Sequence, residues 1–292
     1  MAKLKYALFL GCTIPYREGS YEISARKVFD KLGVELAEMP DANCCGLPVD
    51  PANHEMMLAL SARNLCLAEQ QNLNILALCT GCATTMRKTN RTLKTNKKKK
   101  EEINQILSQI GMEFKGTIEV KHMVQVLKED VGYEKIKESV KKPLTSLTVA
   151  EHGGCHLLRP AEYSGWDNPE DPQTLKDLIR LTGAKCLDYL DETECCGYTV
   201  VAIDEKVALQ ISREKLNNAR AVGAQALITV CPSCHLMFDT NQTRIAKTFN
   251  ETYDLPVLHY TQLLGLAQGI TPDELGMKEL RVDPSKLLQA LQ

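Results

Sequence analysis

The chain lacks an excess of either charge: 35 basic side chains stand against 37 acidic ones in 292 residues, a formal net charge of -2. No bulk field therefore selects nucleic acid or an anionic membrane surface. It also lacks any apolar run approaching the roughly 18 to 20 residues that span a bilayer. The first apolar run, residues 6–10, is too short for a signal-peptide core and leads straight into Cys12. These absences predict a soluble, cytoplasmic protein with no transmembrane segment. No G-x-G-x-x-G and no phosphate loop occurs, which argues against a nucleotide cofactor.

What the chain does have is cysteine, twelve in all. Ten of them repeat one pattern twice. Cys12 is followed by the vicinal pair Cys44-Cys45, by Gly46, and by Cys79 and Cys82 in a C-x-x-C. Cys155 is followed by Cys195-Cys196, by Gly197, and by Cys231 and Cys234. In a reducing compartment such a set speaks for metal or redox chemistry rather than a disulfide scaffold. Cys66 and Cys186 fall outside the pattern and read as small buried hydrophobes.

The duplication reaches beyond the cysteines, as that of a whole structural unit does. Residues 4–10 and 147–150 read as strands leading to Cys12 and Cys155, and 74–78 and 226–230 as strands leading to Cys79 and Cys231. A helical stretch precedes each C-x-x-C, at 54–71 and 203–221, with Leu60-Ser61 and Ile211-Ser212 in register. His122 and His259 close equivalent segments. Strands alternating with helices predict an α/β protein of two Rossmann-like domains with parallel sheets. The expected boundaries are 1–131, a linker at 132–146, 147–270, and a tail at 271–292 able to dock a partner. The run Lys97 to Lys100 reads as a solvated loop. Each C-x-x-C is expected to open a helix, where free backbone N–H groups favour thiolate.

Zinc fits five thiols poorly. A structural site takes four ligands from knuckles about 15 to 20 residues apart, whereas 148 residues separate the two C-x-x-C motifs here. A thioredoxin-like dithiol would leave Cys12, Cys155 and both vicinal pairs unused. Iron–sulfur clusters use thiolates, and several irons let adjacent cysteines reach different metals. A cubane needs four thiolates, so a fifth in each half is either spare or marks unusual ligation.

On these residues the chain resembles the tandem cysteine-rich CCG domain family, and in particular the B subunit of heterodisulfide reductase. The resemblance runs through Phe9-Leu10-Gly11-Cys12, Gly154-Cys155-His156, Cys231-Pro232-Ser233-Cys234-His235 and Leu258-His259-Tyr260-Thr261. It implies two pseudo-symmetric CCG domains and two non-cubane [4Fe-4S] clusters, each held by the five cysteines of its half. It implies reduction of the disulfide of coenzyme M and coenzyme B, or a related one, to two thiols, as in methanogenesis. It further implies two partner subunits, an iron–sulfur protein that passes electrons to this chain and a flavin-containing protein that supplies them. The other member of this resemblance is an electron-relay CCG subunit of a lactate-utilisation or glycerol-phosphate-dehydrogenase-like complex. The chain departs from the family after Cys45, where Gly46 replaces a proline, and after Cys196; both stretches read as walls of the substrate cavity.

His152, His156 and His235 flank cysteines of the second half only. Each reads either as a proton donor to a product thiolate or as a hydrogen-bond partner of a cluster sulfur or the backbone, with His152 and His235 chosen as catalytic. Arg17 and Arg159 follow Cys12 and Cys155 closely, and read as binders of an anionic substrate or as surface charge.

Overall fold

A computed structural model describes residues 4–291. Four strands form the first sheet: β1 (Leu4–Phe9), β2 (Val34–Ala37), β3 (Ile75–Ala77) and β4 (Val120–His122). Four more form the second: β5 (Thr148–His152), β6 (Lys185–Leu187), β7 (Ala226–Thr229) and β8 (Val257–His259). The orders are β2-β1-β3-β4 and β6-β5-β7-β8, and every pairing is parallel. The central strands are short apolar runs buried along their inner length, as parallel strands covered on both faces must be.

In each sheet the chain order reverses between the two central strands. Cys12 and Cys79 follow β1 and β3; Cys155 and Cys231 follow β5 and β7. The carboxyl ends of strands at such a switch point are where open α/β sheets collect ligands. The topology therefore delivers two cysteines of each set to one crevice; the first turn of the next helix brings Cys82 or Cys234, and a loop brings the vicinal pair.

The halves are not separate bodies. One apolar cluster takes Tyr21, Val28 and Phe29 from the first half and Leu258, Tyr260 and Leu263 from the second. The stretch expected as a linker carries helix Tyr133–Ser139, whose Ile136 is fully buried in that cluster. The tail packs Leu275, Met277 and Leu287 into the same cluster. The lysine run is a correction to the sequence reading: Lys97–Ser108 is a helix, not a loop. The Asn96 side chain accepts from the Lys99 amide and caps it, while Ile103 and Leu107 bury its inner face. Propensity and a cap outweigh the repulsion among the neighbouring lysines.

Candidate metal centre

The two vicinal pairs sit in near-identical turns. Gly46 and Gly197 have φ of 92° and 91° and open short helical turns at Leu47–Val49 and Tyr198–Val200. Their amides donate to the first sulfur of each pair, Gly46 to Cys44 Sγ at 3.5 Å and Gly197 to Cys195 Sγ at 3.3 Å. A side chain on either glycine would strike the following helix, with its Cβ 3.0 Å from the Met57 backbone or 2.7 Å from Ala208 O. Only glycine combines the left-handed φ with that approach. The third letter of the Cys-Cys-Gly motif thus has a physical cause.

Buried polar residues hold these turns from equivalent places on the flanking helices, His54–Gln71 and Glu205–Ala221. Asn64 accepts from the Asn43 amide at 2.9 Å and donates to its carbonyl at 3.0 Å. The equivalent Lys215, 1% exposed, donates to the Asp191 carbonyl, and Ser212 donates to Cys196 O at 2.7 Å.

Both C-x-x-C motifs begin as expected, with Cys79 and Cys231 as the N-terminal caps of Thr80–Thr95 and Pro232–His235. Side-chain interactions then run from thiol to thiol through all ten cysteines. The first half gives Cys12 to Cys44, Cys45, Cys82 and Cys79. The contact between Cys79 and Cys231 crosses to the second half, which continues through Cys234, Cys196, Cys195 and Cys155. Thiol neighbours donating to Cys45, Cys195 and Cys231 push all three below the ordinary thiol range. All ten are free, as are Cys66 and Cys186, which lie elsewhere in helix His54–Gln71 and in β6. Cys12 is exposed, so the group opens to solvent there.

Comparison with known proteins agrees with this geometry. The family model for the cysteine-rich CCG domain matches twice, over residues 6–87 and 149–239. The chain belongs to the tandem CCG family of the heterodisulfide reductase B subunit. It is 38% identical over 283 residues to the B subunit of the ferredoxin/F(420)H(2)-dependent CoB-CoM heterodisulfide reductase of Methanosarcina acetivorans, covering 96% of this chain and 93% of that one. It is 36% identical to the B subunit of the ferredoxin:CoB-CoM heterodisulfide reductase of Methanosarcina mazei, covering 97% and 96%. It is also 33% identical to the 8-methylmenaquinol:fumarate reductase membrane anchor subunit of Wolinella succinogenes, covering 97% and 99%. Among the described residues no helix is long and apolar enough to cross a membrane. A hypothetical protein from Helicobacter pylori shares the fold, with TM-score 0.78 at 16% identity over 97% of this chain and 53% of that one.

The second CCG domain surrounds its thiols with ionisable groups that the first one lacks. His152, buried at the end of β5, has a ring nitrogen within 4.8 Å of the Cys196 and Cys234 sulfurs. Neither ring nitrogen makes a well-formed hydrogen bond, and the ring meets Phe238 edge-on at 5.0 Å. Burial holds it neutral, pushing it down to about 3. His156 Nδ1 is 3.4 Å from Cys155 Sγ. His235 is placed differently from what its sequence position suggests. Its Nε2 donates to Val257 O at 3.1 Å and its Nδ1 lies 2.8 Å from Glu18 Oε2. Arg17 lines a cavity of about 120 Å3 beside Glu18, His235, Asp239 and Arg281, while Arg159 donates to Pro169 O at 3.2 Å.

Sequence reasoning missed Glu18, Tyr21 and Glu151, and reached Tyr198 only as part of the stretch after Cys196 read as a cavity wall. Tyr198, 40% exposed, lies beside Ser233 in the turn that follows the second pair. Its place directly after Gly197 was the available signal.

Glu151, 2% exposed, backs the turn that leads to Cys155, and its Oε2 has no hydrogen-bond partner. Burial first, then Glu192, pushes the carboxyl up to about 8, against the pull of Lys176 and Lys215. The folded chain thus keeps a proton that the unfolded chain has lost. This stabilisation is complete below the ordinary carboxyl range and disappears as pH rises through about 8, with a slope near 1.4 kcal/mol per pH unit at most. Urea unfolding of wild type and Glu151→Gln between about pH 6.5 and 8 is expected to show the Gln variant losing less stability on that rise. Parallel curves would contradict the assignment.

Proposed function

We propose that this chain is the catalytic iron–sulfur subunit of a heterodisulfide reductase complex, reducing the coenzyme M–coenzyme B disulfide or a related one to two thiols. The observation that carries the proposal is that the two five-thiol sets abut where the halves meet, Cys79 packing against the apolar cluster that holds Cys231 and Cys234. Ten free thiols with no bridge among them suit thiolate-ligated iron. Cys12, Cys44, Cys45, Cys79 and Cys82 would hold one non-cubane [4Fe-4S] cluster, and Cys155, Cys195, Cys196, Cys231 and Cys234 the other. When bound, the pair supplies two one-electron centres for a reaction that consumes two electrons.

The residues of the chain do the rest. The Gly46 and Gly197 amides offset thiolate charge on the first sulfur of each pair. His152, neutral beside Cys196 and Cys234, is placed to donate a hydrogen bond to a thiolate formed there, with the proton itself coming from solvent. His235, committed to Glu18 and Val257, orients the turn that carries Cys234 rather than donating to substrate. Arg17 and Arg159 are assigned to the anionic ends of the disulfide. The partners are the iron–sulfur electron-transfer subunit and the flavin-containing subunit of the reductase complex, in the cytoplasm.

The test is oxidation of a reduced viologen dye by the iron-loaded chain, with and without the coenzyme disulfide. Disulfide-dependent oxidation is expected, lowered by about 10- to 100-fold in His152→Asn. Dye oxidation indifferent to any disulfide would contradict the proposal. An electron-relay role rests on a narrower observation, the Wolinella succinogenes relative named as a subunit of a quinol:fumarate reductase. That role would leave the disulfide without effect on the dye.

A further inference from the structure

Behind Cys79 and Cys231 lies a buried polar cluster whose Tyr21 and His122 the chemistry above does not use. Tyr21, fully buried on helix Gly19–Lys31 of the first half, donates its hydroxyl to Leu78 O at 2.9 Å and is 3.1 Å from Val230 O. His122, fully buried at the end of β4, makes the same pair of contacts through Nε2, at 3.1 Å each. The Val124 amide donates to His122 Nδ1 at 3.3 Å, which leaves the ring proton on Nε2. Two donors are thus shared by two carbonyls from different halves. Those carbonyls belong to the residues immediately before Cys79 and Cys231.

Two buried carbonyl oxygens turned toward each other repel, and a buried acceptor without a donor is costly. Shared O–H and N–H donors reverse the sign of that interaction and fix the approach. The Tyr21 ring is itself held, stacked on His259 at 3.8 Å and 5°. His259 stacks in turn on His235 at 4.1 Å, and Glu18 Oε2 touches His259 Nε2 at 3.1 Å. Glu18 and Tyr21 come from the first half, His235 and His259 from the second.

We propose that Tyr21 and His122 are positioning residues that pin the carbonyls of Leu78 and Val230 together, and so set the separation between the two cysteine sets. The inference rests on the reading that each set holds a metal centre and that both act on one ligand. A disulfide reached from two sides needs that separation constant, and the pin acts one residue upstream of the first C-x-x-C cysteine in each half. The Glu18–His259 contact keeps the Tyr21 ring in place.

The test compares iron-loaded wild type, Tyr21→Phe and the double variant Tyr21→Phe/His122→Phe, anaerobically and in full-length chains. Tyr21→Phe keeps the ring and its stacking and loses only the hydroxyl. The readout is the magnetic coupling between the two paramagnetic centres by pulsed EPR, beside the iron content and the KM for the disulfide. Expected are wild-type iron in Tyr21→Phe, a broader distribution of inter-centre distances, and a KM raised at least several-fold with a smaller change in kcat. The double variant should broaden further. Should it fail to load iron, Tyr21→Phe decides alone, since His122 still bridges both carbonyls in it. An unchanged distance distribution at full iron content overturns the pin and leaves the two-centre reading standing. An iron-free wild-type chain instead overturns the reading beneath it.

Discussion

Replacing Cys196 with alanine is expected to halve the bound iron, from about eight to about four per chain, and to lower disulfide-dependent dye oxidation by roughly 100-fold or more. Cys196 is 3% exposed, its carbonyl accepts from Ser212, and its sulfur interacts with those of Cys195 and Cys234. Removing it interrupts the second set at its centre while the first set, on its own sheet, keeps all five thiols. One centre cannot deliver one electron from each side of a disulfide. The activity therefore falls far below the half that loss of iron alone would give, beyond the tenfold to hundredfold typical of an outer contact to a metal site. Cys66→Ala is the control. That thiol is buried in helix His54–Gln71, and the side chains acting on it are Glu69, Glu113 and Lys115 rather than another cysteine. Its loss should cost about 1 kcal/mol of stability and leave iron and activity unchanged. Activity that persists in the Cys196 variant would argue against two centres acting together.

Gly197→Ala is expected to lower the stability of the chain by about 2 to 5 kcal/mol, the sum of a strained φ and an overlap with backbone. The φ of 91° is strained for any other residue, and the new Cβ would lie 2.7 Å from Ala208 O, a helix backbone atom that cannot swing aside. Gly46→Ala meets Met57 at 3.0 Å under the same strain, so its penalty should be slightly smaller. Gly223→Ala separates the two causes. Its φ is 82° with nothing within 4 Å of the added Cβ, so only the conformational cost of about 1 kcal/mol applies. Denaturant unfolding of the three variants should give the order Gly197, Gly46, Gly223. Equal effects at Gly197 and Gly223 would mean that close approach to the helix is not what fixes the motif.

Much of the site was legible in the sequence because its ligands lie close to regular elements. Cys12, Cys79, Cys155 and Cys231 each follow a short apolar run, and a strand ending at a switch point is a local pattern with a fixed spatial meaning. The helices at His54–Gln71 and Glu205–Ala221 were legible for the same reason. What stayed hidden depends on contacts across long separations. Glu18 meets His235 and His259 from the other half of the chain, and Tyr21 meets Val230, with no local signal at either end. His235 looked like a proton donor because it adjoins Cys234, yet its ring direction is decided by Glu18 and Val257. The equivalence of Asn64 and Lys215 was masked by their different chemistry, although both hold the loop before a vicinal pair. The Lys97 to Lys100 run misled because its charge spoke louder than the Asn96 cap and the apolar face behind it.

The central claim is that ten cysteines hold two four-iron clusters, five to each half. Its most direct test is the iron, acid-labile sulfide and zinc content of the anaerobically purified full-length chain. About eight irons and eight sulfides per chain are expected, with little zinc. A stably folded chain that carries zinc and no iron, with all ten thiols engaged, would contradict it.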